Sequence, residues 1–208
     1  MTSRSLAARL WYGLLWCPFW AIAVLAFRFR STGREHVPPT GPVLLVSNHQ
    51  SYLDPVLVGV ACPRQVRALA RHSLFFWPLS WLIRSIGAVP IDRDRGGLGG
   101  IKTALKILDA GEALLVFPEG TRTKDGRLQP LLPGFCALAR RSGATVVPVA
   151  IHGAFAAMPR GSLFPRPRPI RLTFCPPISP DEQRQLNDDE LAQIVSARIA
   201  ASLSTNSV

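Results

Sequence analysis

Short apolar runs that alternate with helical patterns constrain this chain more than any other feature of its sequence. The runs at 43–46, 66–70, 88–91, 113–116 and 145–151 are rich in Val, Leu, Ile and Ala. Nearly continuous runs of this kind are typical of strands that are buried on both faces of a sheet, with helices in the connections. We therefore expect an α/β domain whose central sheet is mostly parallel and is covered by helices on both faces.

A polar loop follows the first of these runs and carries a histidine and an aspartate. His49 lies three residues beyond the run, and Asp54 stands directly before Pro55. Asp followed by Pro is typical of a helix start, with Asp as the N-cap and Pro at the first helical position. Because ligands bind where the strands of a parallel sheet end, the sequence predicts a site on this loop.

His49 and Asp54 have the residue types of an acid–base pair. A neutral imidazole removes a proton from a hydroxyl effectively when a carboxylate holds its other ring nitrogen. The hydroxyl would belong either to a serine of the protein, Ser47 or Ser51, or to the substrate. The chain has no G-x-S-x-G pattern, which marks the nucleophile of many serine hydrolases. A substrate hydroxyl is therefore the simpler interpretation.

A second charged loop, Phe-Pro-Glu-Gly-Thr-Arg-Thr at 117–123, follows the run at 113–116. Two charged loops at the ends of two buried strands suggest one shared site with His49. Arg122 is a candidate anion-binding residue, since guanidinium groups bind phosphate in a bidentate manner. Glu119 is expected to bind a polyol hydroxyl or to orient Arg122, and an ordinary Glu119–Arg122 ion pair is the alternative.

Arg93 is a second candidate anion-binding residue, because it follows the run at 88–91 almost directly. An ion pair with Asp92 or Asp94 is the alternative. The histidines and cysteines of the chain show no spacing that is typical of metal ligands, so no metal site is expected. The four cysteines are expected to be buried free thiols.

Glycine and proline mark the parts of the chain that are expected to be irregular or peripheral. The stretch 32–42 holds two glycines and three prolines and is expected to be a linker, and the glycines between 96 and 100 are expected to form a flexible loop. The strand at 170–174 has prolines on both sides, which favours an edge position. Asn187 or Asp188 is expected to cap the last helix.

The N-terminal stretch 6–27 is almost wholly apolar and contains three tryptophans and a tyrosine. As a helix it would be roughly 30 Å long, enough to cross a bilayer core, but its aromatic rings favour a helix or helical hairpin in the membrane interface. A cleaved signal peptide and a buried core helix are the alternatives. We therefore divide the chain into a membrane-associated helical segment, 1–31, and a folded domain, 32–208.

The composition is consistent with an anionic lipid partner. The chain is 48% hydrophobic, its net charge is +11, and only three of its 24 basic residues are lysine. A basic and apolar surface suits either anionic lipid or nucleic acid, and an arginine-rich coding bias is the neutral alternative. The arginines are scattered and no nucleic-acid motif accompanies them, so nucleic acid is not an expected partner.

Four sequence blocks, in order, resemble those of the glycerolipid acyltransferases related to 1-acylglycerol-3-phosphate acyltransferase. N-H-x-x-x-x-D stands at 48–54, and an arginine block after Gly-Ala-Val-Pro-Ile stands at 87–93. F-P-E-G-T-R-S, with Thr for the last Ser, stands at 117–123, and a proline-containing strand stands at 146–151. The resemblance covers about 43–178 and identifies the folded domain as an acyltransferase domain.

The resemblance implies transfer of a fatty acyl group from acyl-CoA or acyl carrier protein to the free hydroxyl of 1-acylglycerol-3-phosphate, which forms phosphatidic acid. It implies that His49 is the general base and Asp54 its partner, with no cofactor, metal or covalent acyl-enzyme. It places the enzyme on the cytoplasmic face of the cell membrane, with the lipid surface, the lysophospholipid and the acyl donor as partners. The substrate-binding residues that it implies are Arg93, Glu119, Gly120, Thr121 and Arg122.

Two departures from the family pattern leave the acceptor headgroup open. Arg71 stands in the region where related enzymes often have a lysine, and Leu132-Pro133-Gly134 stands in place of a Lys-x-Gly. The same chemistry on another lysolipid, such as a lyso-ornithine lipid, is therefore the alternative function. A serine-type lipid hydrolase and a non-catalytic membrane-binding module are the alternatives from other classes.

Overall fold

The structure is a computed structural model, and it describes residues 20–71, 87–91 and 98–205. The described residues include a seven-stranded sheet in the order β1-β7-β6-β2-β5-β3-β4. The strands are β1 Arg30–Thr32, β2 Val43–Ser47, β3 Val66–Arg71, β4 Ala88–Ile91, β5 Ala113–Val116, β6 Thr145–His152 and β7 Arg171–Phe174.

Helices connect the strands and cover the sheet. Residues 20–27 are helical and are called α1 here. The others are α2 Asp54–Ala61, α3 Leu98–Asp109, α4 Gly134–Ser142, α5 Ala154–Ala157, α6 Pro180–Arg184 and α7 Asp188–Thr205. A short 3-10 helix lies at Arg34–His36.

The sheet is mostly parallel, as the apolar runs predict. Strands β6, β2, β5, β3 and β4 all run in the same direction. Strand β7 is antiparallel to β6, and β1 is parallel to β7. The reversal at one side leaves the central strands β2 and β5 as parallel neighbours, so the loops that follow them start at the same edge of the sheet.

Two apolar clusters, one on each face of the sheet, explain why its strands are apolar throughout. One face carries Leu45 and Val147 of the sheet and packs against α1, α2 and α5. The other face carries Leu44 and Val146 and packs against α3, α4 and α7. The prediction of helices on both faces is therefore confirmed, and alternate residues of one strand serve opposite clusters.

The expected edge position of the strand at 170–174 is wrong. Strand β7 lies between β6 and β1, because β1 pairs with it in register Arg30↔Arg171 and Thr32↔Thr173. Strand β1 has only three residues and lies where the sequence predicted the end of one segment and the start of a linker. A strand this short has no apolar alternation that a sequence pattern can detect.

Two other local predictions have different outcomes. The expected loop at 96–100 is wrong for Gly99 and Gly100, since α3 begins at Leu98. Asn187 is confirmed as the cap of α7: its Oδ1 accepts the N–H of Glu190 at 2.9 Å, and its own N–H donates to Glu190 Oε2 at 2.7 Å. This reciprocal pair satisfies backbone donors at the helix start.

The described part of the N-terminal segment packs against the domain. Ala23 and Phe27 of α1 are buried in the first cluster, whereas Trp20, Ile22 and Leu25 are exposed. Among the residues that the structure describes, no helix is both long and apolar enough to cross a membrane. The membrane role of residues 1–31 stays a prediction, and residues 1–19 lie outside the described part.

Candidate active site

The loop after β2 places His49 against Asp54, and their side chains are joined at 2.8 Å between Nδ1 and Oδ2. Asp54 is the first residue of α2 rather than its N-cap, which corrects the sequence prediction. Its carboxylate turns back toward the loop, where Oδ2 also accepts the N–H groups of Gln50 at 2.6 Å and Ser51 at 2.8 Å. One buried oxygen therefore fixes both the loop and the imidazole.

The environment of Asp54 determines which nitrogen of His49 is available. Complete burial raises the pKa of Asp54, and the hydrogen bonds from His49, Ser51 and Gln50 oppose that effect. With Oδ2 as the acceptor, Nδ1 carries the proton of the neutral ring, which leaves the lone pair on Nε2. The His49 side chain is 19% exposed, so the site has access to solvent and to a ligand.

Phe117, the first residue of the second loop, fixes the face of the imidazole. The rings of His49 and Phe117 are stacked, with centroids 3.9 Å apart and an interplanar angle of 16°. Sequence reasoning missed this contact, although Phe117 stands directly after the run at 113–116. Held at one edge by Asp54 and at one face by Phe117, the ring is already oriented before a substrate arrives.

The second loop also binds the backbone of His49. Glu119 Oε1 accepts the His49 N–H at 3.0 Å, and the His49 carbonyl accepts the Thr123 N–H at 2.8 Å. Burial raises the pKa of Glu119 to about 7; the His49 N–H lowers it and the charge of Asp54 raises it further. Glu119 therefore positions the histidine, a role that its place in the motif did not reveal.

Arg122 and Glu119 each leave one buried polar atom free in the site. Arg122 Nη1 and Glu119 Oε2 are buried and have no hydrogen-bond partner among the described residues. These two atoms are therefore not paired with each other, which contradicts the ion-pair alternative at that point. Orphaned buried polar atoms are costly, and their presence is typical of a place where a ligand supplies the missing partners.

Tyr52 holds the guanidinium of Arg122, and sequence reasoning missed it. The Arg122 guanidinium carbon lies 3.5 Å from the centroid of the Tyr52 ring, and the tyrosine is 52% exposed. Stacking of this kind fixes the plane of a guanidinium without using its hydrogen-bond donors. The only signal in the sequence is an aromatic residue between the two candidate catalytic residues.

Gly120 and Thr121 complete the turn between Glu119 and Arg122. The Gly120 N–H donates to the Phe117 carbonyl at 3.1 Å, and the backbone of Gly120 has a φ of 71°. This left-handed conformation favours glycine. Both residues are exposed beside the site, and their contact with substrate stays a prediction.

Arg93 lies outside the described residues, as do Asp92 and Asp94. Its predicted contact with an anion stays a prediction, and so does the alternative of an ion pair. The described site therefore brings together His49, Asp54, Glu119 and Arg122 of the predicted residues.

Three buried polar side chains around His49 fasten its loop to the rest of the domain. Asn48 bonds both backbone groups of Ile151, donating to the carbonyl at 2.9 Å and accepting the N–H at 2.8 Å. Gln50 donates to the Gly126 carbonyl at 3.1 Å and accepts the Phe155 N–H at 3.2 Å. The third side chain, Ser51, donates to the Met158 carbonyl at 2.8 Å.

Comparison with known proteins places the chain in a family. A family model described as Acyltransferase matches residues 28–152. The chain belongs to the acyltransferase family. The resemblance found in its motifs is therefore confirmed, and the motif blocks up to residue 151 lie inside the matched region.

Several relatives of this acyltransferase carry a more specific name. The chain is 32% identical to a chloroplast 1-acyl-sn-glycerol-3-phosphate acyltransferase of Arabidopsis thaliana over 159 residues, which are 74% of this chain and 42% of that protein. It is 34% identical to the 1-acyl-sn-glycerol-3-phosphate acyltransferase of Bacillus subtilis over 123 residues, 58% of this chain and 60% of that protein. The chain spans about half the length of the first curated relatives that it matches.

The fold of this acyltransferase is shared with a solved structure. The crystal structure of a 1-acyl-sn-glycerophosphate acyltransferase from Thermotoga maritima matches with a TM-score of 0.83 and 24% identity. The match covers 99% of this chain and 83% of the other. It confirms the predicted α/β fold.

Proposed function

We propose that this acyltransferase moves a fatty acyl group from acyl-CoA or acyl carrier protein to the free hydroxyl of 1-acylglycerol-3-phosphate, and so forms phosphatidic acid for phospholipid biosynthesis. One observation carries the proposal: an oriented His49–Asp54 pair lies in the same site as Arg122 Nη1, which has no hydrogen-bond partner in the described part of the chain. A general base and an anion-binding arginine in one site suit an acceptor that has both a hydroxyl and a phosphate. The names of the relatives support the same substrate.

The chemical step follows from the orientation of the imidazole. The acceptor hydroxyl approaches Nε2 of His49, which takes its proton while the oxygen attacks the thioester carbonyl. The negative charge of Asp54 stabilises the imidazolium that forms. When the tetrahedral intermediate collapses, the carbon–sulfur bond breaks, the new ester remains, and the imidazolium returns the proton to the leaving thiolate.

The serines near His49 do not suit the role of a nucleophile. Ser47 and Ser51 are fully buried, and their hydroxyls donate to the carbonyls of Asn48 and Met158. A serine-type hydrolase requires its hydroxyl to be bonded to the base. These contacts support a substrate hydroxyl as the nucleophile and disfavour the hydrolase alternative.

The charges of the site favour a phosphate-bearing acceptor. Arg122 offers a buried donor, and Arg93 is proposed to supply a second guanidinium to the same phosphate. Glu119, whose pKa is raised to about 7, would bind the glycerol part through Oε2, either as a donor or as an acceptor. A lyso-ornithine lipid has no phosphate, so this constellation favours 1-acylglycerol-3-phosphate over that alternative.

The membrane part of the proposal rests on α1. Trp20, Ile22 and Leu25 are exposed on this helix, while Ala23 and Phe27 hold it against the domain. An apolar helix face with tryptophan suits the interface of a bilayer. We propose that residues 1–31 dock the enzyme to the cytoplasmic face of the cell membrane, where both lipid substrate and product reside.

A single assay tests the proposed activity. The purified full chain is given palmitoyl and oleoyl thioesters of CoA and of acyl carrier protein with a panel of lysolipids, and products are identified by mass spectrometry. We expect phosphatidic acid from 1-acylglycerol-3-phosphate, and loss of turnover in His49→Ala while that variant stays folded. Acylation of lyso-ornithine lipid alone would contradict the acceptor. Free fatty acid as the sole product, with labelling by a serine-directed phosphonate, would support the hydrolase instead.

A further inference from the structure

The loop between α5 and β7 displays two adjacent large apolar side chains to solvent. Leu163 and Phe164 are 85% and 79% exposed, and every residue from 163 to 169 is exposed. Water-exposed pairs of this size are unfavourable, and they are typical of a surface that meets a protein or a membrane. The loop plays no part in the candidate active site, so its exposure calls for another explanation.

The charge of this loop distinguishes between those partners. Arg160, Arg166 and Arg168 are exposed on it, and it contains no acidic residue. Apolar side chains flanked by arginines match the interface of an anionic bilayer, where the apolar groups enter the acyl region and the guanidinium groups bind lipid phosphates. Prolines at the alternate positions 165, 167 and 169 also leave few backbone donors for pairing with a protein strand.

Hydrogen bonds hold the loop in this shape without a partner. The Arg166 N–H donates to the Ala157 carbonyl at 2.7 Å, which closes the loop, and the Ser162 N–H donates to the Pro159 carbonyl at 3.1 Å. At the tip, the Ser162 hydroxyl donates to the Phe164 carbonyl at 2.8 Å. The apolar pair is therefore presented on a fixed backbone, which reduces the entropy cost of binding.

The two ends of the loop lie at the catalytic loop and at α1. Met158, at its start, accepts the Ser51 hydroxyl at 2.8 Å. Ile170, at its end, donates its N–H to the Phe27 carbonyl at 2.9 Å. The loop thus connects the residues around His49 to the helix that exposes Trp20, Ile22 and Leu25.

We propose that residues 159–169 form a second membrane contact, in which Leu163 and Phe164 enter the interface of an anionic phospholipid bilayer and the three arginines bind its phosphates. The contact fixes the rotation of the domain about α1 and brings the catalytic loop to the bilayer surface. An acceptor lipid then reaches His49 without leaving the membrane. This consequence rests on the proposed function, whereas the contact itself does not depend on the chemistry.

Vesicle binding of the full chain tests the contact. Vesicles of phosphatidylcholine with and without phosphatidylglycerol are floated with the wild type and with the double variant L163E/F164E. We expect the double variant to lose roughly tenfold to a hundredfold of its partition into anionic vesicles, since two apolar side chains no longer transfer from water. Ile101→Glu is the matched control, because Ile101 is an exposed apolar residue on α3, and it should leave partition unchanged.

The arginines are tested by the dependence on lipid charge. Replacing Arg160, Arg166 and Arg168 by glutamine should remove roughly fivefold of anionic-vesicle partition per residue and leave binding to phosphatidylcholine alone unchanged. Arg141→Gln, at an exposed position of α4, is the charge-matched control. Equal losses in the control and in the loop variants would overturn the proposed contact.

A label at the tip reports insertion directly. Cys62, Cys136 and Cys175 are buried, so a Phe164→Cys chain with Cys17→Ser takes an environment-sensitive dye at residue 164. We expect a blue shift of its emission with anionic vesicles. No shift, together with wild-type partition of L163E/F164E, would overturn the proposal and would leave a protein partner as the explanation of the exposed pair.

Activity measurements separate this proposal from the proposed function. L163E/F164E should acylate a monomeric, short-chain 1-acylglycerol-3-phosphate as the wild type does, and should lose turnover of the same acceptor embedded in vesicles. If the wild type acylates no acceptor in either format while the vesicle-binding results hold, the proposed function fails and the contact stands. If partition is unchanged while the wild type is active, the contact fails and the proposed function stands.

Discussion

Arg122 lies with its guanidinium carbon 3.5 Å from the centroid of the Tyr52 ring. Tyr52 belongs to the His49 loop and Arg122 to the loop after β5. This contact therefore joins the His49 loop to the arginine that is proposed to bind the phosphate. The ring occupies one face of the guanidinium and leaves its donors for the acceptor.

Tyr52→Leu should therefore raise KM for 1-acylglycerol-3-phosphate by roughly threefold to thirtyfold, which corresponds to a lost cation–π contact. Tyr52→Phe keeps the aromatic face and should behave as the wild type. Steady-state kinetics with varied acceptor distinguishes the two. A fall in kcat at unchanged acceptor KM, or equal effects in both variants, would contradict this role of Tyr52.

Arg122→Lys should weaken acceptor use more than donor use. Lysine keeps the charge but not the planar set of donors, so bidentate binding of a phosphate is lost, and acceptor KM should rise by about tenfold. Arg127→Lys is the matched control, since Arg127 follows on the same loop with an 86% exposed side chain. Equal increases in KM for the acceptor and for the thioester would count against binding of the acceptor phosphate by Arg122.

Asp54→Asn should lower kcat by ~10²–10⁴-fold, because a neutral amide cannot stabilise the imidazolium that forms when His49 takes the proton. The fold should persist, since the amide oxygen can still accept the N–H groups of Gln50 and Ser51. The measurement is thioester consumption beside thermal unfolding. Wild-type turnover in a folded Asp54→Asn protein would exclude the paired-base mechanism.

Glu119 gives the stability a predictable dependence on pH. Its pKa is about 7 in the folded protein against a usual value of 4.5, so the folded state holds this proton more tightly than the unfolded state does. Stability from this group is fully present below pH 4.5 and is lost as the pH rises through 7, by up to about 3 kcal/mol.

Glu119→Gln should remove that dependence, so the stability of the variant relative to the wild type should increase as the pH rises from 4.5 to above 7. Urea unfolding at several pH values measures it. Glu182→Gln is the flat control for this range, because hydrogen bonds from Ser179 lower the pKa of Glu182 and so place its titration below its usual value of 4.5. A constant difference between wild type and Glu119→Gln across that range would refute the raised pKa.

Asn48→Ala should destabilise the domain by about 2–4 kcal/mol, since it leaves the buried N–H and C=O of Ile151 without partners. The substitution should also lower kcat, because Asn48 adjoins His49 and fastens its loop to β6. Denaturant unfolding and steady-state kinetics measure the two effects. Unchanged stability would mean that the amide does not hold the loop.

The parts of the structure that the sequence predicts are those set by local patterns. Strands β2 and β5 follow from continuous apolar runs, and the His49–Asp54 pair follows from a five-residue separation across one loop and a helix start. The loops that follow β2 and β5 lie side by side because the carboxyl ends of parallel strands meet at the same end of the sheet. These inferences need no knowledge of distant residues.

The parts that the sequence does not predict depend on residues far apart in the chain. The bond from Glu119 to the His49 N–H joins positions 70 residues apart, and Asn48 meets Ile151 across 103 residues. Strand β1 is defined only by its pairing with β7. In each case the partner is selected by packing of the whole sheet, which no single window of sequence contains.

The pairing of β1 with β7 bears on how this enzyme can be handled in the laboratory. Phe27 and Phe29 are each only 7% exposed, so the hydrophobic N-terminus cannot be trimmed back to residue 32 to gain a detergent-free sample. Without β1, one side of β7 would lose its backbone hydrogen bonds, and core residues would be exposed to water. We expect such a shortened protein to aggregate even in the absence of lipid. Trimming that spares Ala23, Phe27 and Phe29 keeps the buried contacts of α1 and the pairing of β1 in place.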